Sequence, residues 1–213
     1  MNGSRIDSMK ILAVSDVVVD WIYSPKMRLV LSETDLAIGC GDLPAYYLEF
    51  IVSALDIPVF YVHGNHSLPR EGENLRGEIT DGQIDLHCRM ERFKGYTFAG
   101  VEGSLRYKEG IYQYSQTLMW LNVFRLIPYL IMNRINTGLY LNVFVSHAPP
   151  WGIHDQPDYA HQGIEAFRWL LTHFHPDYHL HGHVHIYRPD AERETIFGKT
   201  KVINAFGYRK LEL

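Results

Sequence analysis

A chain of 213 residues, 46% apolar and 21% charged, can bury one full core without staples and is most simply one domain. Its net charge of −4 excludes a basic footprint for gripping a long nucleic-acid backbone, and two cysteines exclude a disulfide framework. Cys40, in an apolar run, reads as an inert buried thiol, and the setting expected is reducing and cytoplasmic.

Residues 1–8 (MNGSRIDS) are polar, carry no signal-peptide pattern and read as a disordered extension or cloning remnant ahead of a domain at 9–213. Lys10 to Val14 is an apolar run ending in Ser15-Asp16, and reads as a buried strand. Asp35 to Cys40 is a second, ending in Gly41-Asp42. Pro44 then opens a helix in which Tyr47, Leu48, Ile51, Val52 and Leu55 recur at helical spacing. Ile57 to Val62 is a third strand, ending in His63-Gly64-Asn65-His66. Strands alternating with helices predict an α/β layered fold.

Leu68 to Asp81 is polar and reads as a surface loop. Gly95 lies between β-prone stretches from Arg92 to Gly100 and predicts a hairpin. Ser104 to Ser115 reads as a loop able to cover a site. Gln116 to Asn136 is a long helix that Pro128 should kink or divide. Its apolar stretch is too short to span a bilayer, so no membrane is expected; burial against the domain or a homo-oligomer contact is the expectation. Tyr140 to Val145 is a strand feeding Ser146-His147 and a rigid Ala148-Pro149-Pro150 turn. Gly163 to His173 is an amphipathic helix, and Tyr178 to His181 a strand leading to Gly182-His183-Val184-His185. Lys201 to Ala205 and Gly207 to Leu213 read as a closing hairpin.

Five apolar runs thus end in Asp, Asn or His. Carboxylates, an amide oxygen and imidazoles together suit divalent metals of intermediate hardness. Six candidate ligands, Asp16, Asp42, Asn65, His147, His183 and His185, exceed what one tetrahedral ion needs, and point to two ions. Side chains two apart on an extended chain share a face, so His183 and His185 can reach ions about 3.5–4 Å apart. His179 and His181 read as packing or supporting residues. Each cluster also has a plainer reading: Asp42 as a helix cap, Gly64-Asn65 as a turn, His147 as a hydrogen-bonded structural residue. Covalent catalysis by Ser146 is not indicated, because neighbouring strand side chains point apart.

Taken in order, Asp16, Gly41-Asp42, Gly64-Asn65-His66, His147 and Gly182-His183-Val184-His185 resemble the calcineurin-like metallophosphoesterases. His147-Ala148-Pro149-Pro150-Trp151-Gly152 with Asp155, and Asn204-Ala205, resemble their small class III-type phosphodiesterase branch. The resemblance implies a four-layer αββα sandwich of two mixed sheets flanked by helices. It implies two divalent ions, manganese, iron or zinc. Asp16 and His185 would hold the first, Asn65, His147 and His183 the second, and Asp42 would bridge them. The implied reaction is attack of a metal-bound hydroxide on a small phosphate ester, a phosphodiester or cyclic nucleotide, with His66 as catalytic residue. Arg106 is the candidate substrate contact, with Tyr107 beside it.

Two positions depart from the family pattern. Val18 stands where a first-site histidine is expected and offers no lone pair; Asp20 and His63 are the nearby substitutes. Ser67 stands where the family has Asp or Glu, a group that would orient His66 and supply charge. The alternative is therefore a metal-binding interaction module of the same fold with weak or no turnover.

Overall fold

The structure is a computed structural model that describes residues 8–67, 78–79, 82–188 and 190–213. The extension at 1–8, Ser8 apart, and most of the polar stretch at 68–81 lie outside the described residues. The first half of the chain contains β1 (Lys10–Ser15), α1 (Met27–Leu31), β2 (Leu36–Gly39), α2 (Ala45–Leu55), β3 (Val59–Tyr61), β4 (Glu78–Ile79), β5 (Gln83–Asp85), β6 (Met90–Phe93) and β7 (Tyr96–Val101). The second contains β8 (Ser104–Leu105), β9 (Gln113–Tyr114), α3 (Gln116–Thr137), β10 (Val143–Ser146), α4 (Glu165–Phe174), β11 (Tyr178–His181), β12 (Glu194–Phe197), β13 (Thr200–Asn204) and β14 (Gly207–Glu212).

Among the described residues two six-stranded sheets form, in the orders β14-β1-β2-β3-β5-β4 and β12-β13-β11-β10-β7-β6. Both are mixed: β1, β2, β3 and β5 run parallel, as do β7, β10, β11 and β13, and antiparallel strands close the edges. The period-two alternation of a strand decides which layer each side chain joins. Ile11, Ala13, Ile38, Val143 and Val145 point between the sheets, against Phe60, Phe98 and Ile203. Leu12, Val14 and Ala37 point the other way, under α1 and α2. Phe144 and Val202 pack on the far side against α3 and α4. Three stacked apolar layers make the four-layer sandwich. Each fully buried Leu, Ile or Phe contributes about 1.5–3 kcal/mol relative to exposure.

The helices follow their sequence cues. In α2, Tyr47, Leu48 and Ile51 are buried, and in α4 Ala166, Phe167, Leu170 and Leu171. Ser115 Oγ caps α3 by accepting from Leu118 N at 3.2 Å, and Gly138, at φ 85°, closes the far end. Pro128 does not divide α3, which runs unbroken for 22 residues. Pro128 is exposed, on the side of α3 away from the core. No helix among the described residues is long and apolar enough to cross a membrane.

The closing hairpin is corrected. β13 and β14 are consecutive but belong to different sheets. Thr200–Asn204 is buried at four of five positions and fits the interior of a sheet, between β11 and β12. Gly207–Glu212 is half-buried or exposed at every position and fits an edge, where it pairs antiparallel with β1 from Ser15↔Gly207 to Lys10↔Glu212. The unforeseen β12 supplies the actual hairpin partner of β13.

Candidate metal centre

β1, β2 and β3 run parallel in one sheet and β10 and β11 in the other, and the residues after their carboxyl ends meet. The crevice beyond such strand ends is where ligands bind in α/β folds. One ligand atom each from Asp16, Asp42 and His147 lies within 4.8 Å of the other two. Asn65 Oδ1 is 2.9 Å from His147 Nε2, His183 Nδ1 is 3.2 Å from the same nitrogen, and Asp42 Oδ2 is 3.3 Å from it. His185 Nε2 is 3.5 Å from Asp16 Oδ1. All six candidate ligands therefore converge, from positions 16 to 185.

The backbone is bent to achieve this. Asp16 and His183 are the central residues of three-residue turns, at φ 67° and 68°. Val17 N donates to Ser15 O and Val184 N to Gly182 O, each at 2.8 Å. The two turns clasp each other, because His183 N donates to both oxygens of Asp16. Such turns are strained, by about 1–3 kcal/mol each, and persist where surrounding structure overdetermines them. The glycines make the approach possible. A Cβ on Gly64 would overlap the Asp42 carboxylate, and one on Gly182 would overlap Ser15 and Asp16.

Hydrogen bonds fix the imidazole tautomers. His147 Nδ1 donates to Cys40 O at 2.9 Å, and His183 Nε2 donates to Ala160 O at 2.7 Å. In their neutral forms both rings turn bare lone pairs inward, toward each other, toward Asn65 Oδ1 and toward the Asp42 carboxylate. Four lone-pair donors face one another in a buried space, and a positive charge among them relieves the repulsion. A proton can serve: burial alone would lower the pKa of His147, but Asp42 outweighs burial and lifts it to about 9. Burial would raise the pKa of Asp42, yet His147 and the His66 backbone N–H hold it well below the carboxylate range. Burial and then His147 push His183 down to about 3. A divalent cation fits the same donor set of two imidazoles, an amide oxygen and a carboxylate.

The other half is more open. Asp16 is 1% and His185 45% exposed in their side chains. The hydrogen bond to Asp16 raises the pKa of His185 against burial. Val18 packs against the outer core beneath α1 and α2. His63 does not substitute for it: it groups with Asp85 and Glu102 and stacks on Tyr112 at 4.4 Å. Asp20 is exposed. The His63 group belongs to a polar knot, where Tyr114 OH donates to Glu102 and Glu102 N donates to His87 Nδ1, tying β3, β5 and β7 together.

His66 N donates to Asp42 Oδ1 at 2.8 Å, which sets its exposed ring beside the centre. Tyr107 Oη is 3.1 Å from His66 Nε2 and 3.2 Å from Asn65 Nδ2. Arg106 Nε donates to Gln113 O at 3.1 Å, within the 104–115 loop. His179 and His181 are buried behind the edge, bonded to Ser146 and His154. Sequence reading did not foresee that Cys40 O and Ala160 O fix the tautomers, since backbone acceptors leave no trace in side-chain spacing. Asp155 anchors the loop around Ala160 by accepting from Gly152 N and Gly163 N.

The profile of the calcineurin-like phosphoesterases matches residues 9–187. The chain belongs to that family, whose activity in general is metal-dependent phosphoester hydrolysis. No curated protein sequence matches it. Among solved structures it is similar to TT1561 of Thermus thermophilus, at 18% identity and TM-score 0.64, over 93% of this chain and 89% of that one. It is also similar to GAP50, described as the anchor in the inner membrane complex of Plasmodium, at 10% identity and TM-score 0.58, over 92% and 71%. A hypothetical protein from Thermus thermophilus aligns at 14% identity and TM-score 0.53, over 92% and 75%. At these identities the likeness shows the fold.

Proposed function

We propose that the protein hydrolyses a small phosphodiester, cyclic nucleotides included, at a dinuclear centre. The observation that carries this reading is the set of inward lone pairs on His147, His183, Asn65 and Asp42. These four would hold one ion; Asp16 and His185 would hold the other, with Asp42 shared. Bound divalent ions supply positive charge to the phosphoryl oxygens and lower the pKa of a water. Asp42 fixes His66 through the backbone, so the ring stands where it can hydrogen-bond a phosphoryl oxygen or hand a proton to the leaving oxygen. The loop at 104–115, whose ends β8 and β9 pair in parallel, brings Tyr107 to the centre and walls one side, which favours small substrates over phosphoproteins. Manganese, iron and zinc all suit the donors. Two thiols outside any disulfide support a cytoplasmic setting.

A screen of phosphomonoesters, phosphodiesters and cyclic nucleotides, run with metal analysis, tests the proposal. Asp42→Asn is expected to lose metal and turnover together. His66→Ala is expected to keep metal while turnover falls about 100-fold or more. Unchanged hydrolysis in both variants refutes the assignment. Val18, packed against the outer core, favours the second reading, a metal-binding module. One ion per chain and no hydrolysis of any ester would establish that reading instead.

A further inference from the structure

We infer that Tyr107 is the positioning residue for His66, doing from a distant loop what an acidic side chain at position 67 would do from the next residue. The inference rests on the phosphoesterase reading and adds a part to it.

Ser67 cannot fill the role it inherits. Its Oγ accepts from Gly64 N at 2.9 Å, and its own N–H donates to Gly64 O at 3.3 Å, so its polar atoms close the Gly64–Ser67 turn. The His66 ring meets Tyr107 instead. Asn65 Nδ2 donates to Tyr107 Oη at 3.2 Å, which occupies one lone pair of the phenol oxygen. The other partner of the phenol oxygen is His66 Nε2, 3.1 Å away. With the phenol as donor of that bond, the ring carries its proton on Nδ1. One hydroxyl thus sets the His66 tautomer while holding the Asn65 amide with its oxygen turned to His147.

The phenol is itself braced from both sides. Arg106 N donates to Tyr114 O at 3.0 Å and Arg106 Nε to Gln113 O at 3.1 Å. On the other side Lys108 N donates to Gln113 Oε1 at 3.2 Å, and Lys108 Nζ lies over the Tyr107 ring, 5.3 Å from its centroid. Gln113 is buried. Arg106 therefore braces the loop that aims Tyr107. A neutral phenol supplies direction without the fixed negative charge of a carboxylate, so its loss affects how the ring is presented more than how an anionic ester is held.

The test compares wild type, Tyr107→Phe and the double variant Tyr107→Phe, Ser67→Asp. Steady-state hydrolysis of bis(4-nitrophenyl) phosphate by manganese-loaded protein gives kcat and KM. Metal analysis gives ions per chain. Imidazole 1H–15N spectra of zinc-loaded protein, with His66 assigned by its loss in His66→Gln, give the tautomer. In Tyr107→Phe, kcat is expected to fall about 10-fold, with KM within about twofold and metal content unchanged. The His66 spectrum is expected to change from the Nδ1–H tautomer to a mixture, and Ser67→Asp to recover part of kcat. An unchanged tautomer in Tyr107→Phe overturns the inference, as does a loss of metal alongside kcat, which would make Tyr107 a support for Asn65 alone. If wild type hydrolyses no ester, the phosphoesterase reading fails, while the spectra still decide whether Tyr107 orients His66.

Discussion

The two halves of the centre each draw ligands from both sheets, yet one is walled and the other open. Around His147, four donors converge in a space where that imidazole is 0% exposed. Around Asp16, the partner imidazole of His185 is 45% exposed, and the position that would complete the set is a half-buried valine packed against the outer core. Burial is what separates them. A sequestered set of lone pairs is unstable without a cation, whereas an exposed set is solvated. The buried half should therefore bind its ion tightly and the open half weakly.

The largest effect expected comes from breaking the buried half. His147→Ala removes the nitrogen on which the other three donors converge and should weaken the tighter ion at least about 100-fold in calorimetric titration; His185→Ala should weaken only the second ion, about 10-fold. Equal losses in the two variants would erase the distinction. Next in size is pH. The pKa of His147 is raised to about 9 without metal, so an ion entering below that pH displaces a proton. Affinity of the buried half should rise about tenfold per pH unit from 6.5 towards 9 and then level, with about one proton released per ion. Sharpening the open half is a smaller change. Val18→His should tighten the second ion about 10-fold while costing about 1 kcal/mol of stability from the lost apolar packing. A thermal melt paired with the titration separates the two effects.

Acid stability tests the wall itself. Burial pushes His179 to about 3 and His87 to about 4. The unfolded chain protonates both near pH 6.5 while the fold resists, so stability is whole above 6.5 and is lost as pH falls towards 4. The loss should be on the order of 2–4 kcal/mol by pH 4.5, read as a falling denaturant midpoint.

Much of this was legible in the sequence, for a physical reason. A buried parallel strand must be apolar, and a ligand at its carboxyl end must be polar, so Asp16, Asp42, Asn65, His147 and His183 each stand at a sharp change of character. The same runs pointed to an α/β layered fold, and the αββα sandwich was what the family resemblance implied. What escaped lies where no period exists. Tyr107 reaches His66 through a loop whose course depends on Gln113, and nothing in the spacing says which of Arg106 and Tyr107 turns inward. The pairing of β14 escaped because a hairpin and a crossing between sheets have the same local pattern; only the burial of both faces of β13 distinguishes them.

That crossing bears on how the molecule assembles. The strand that presents Asp16 gains its outer neighbour only when Lys10 meets Glu212 and Ser15 meets Gly207. Closing so long a loop is slow, because its entropy must be lost before the contacts form. During refolding the open half of the centre should mature last, so uptake of the weaker ion lags behind recovery of helical circular dichroism.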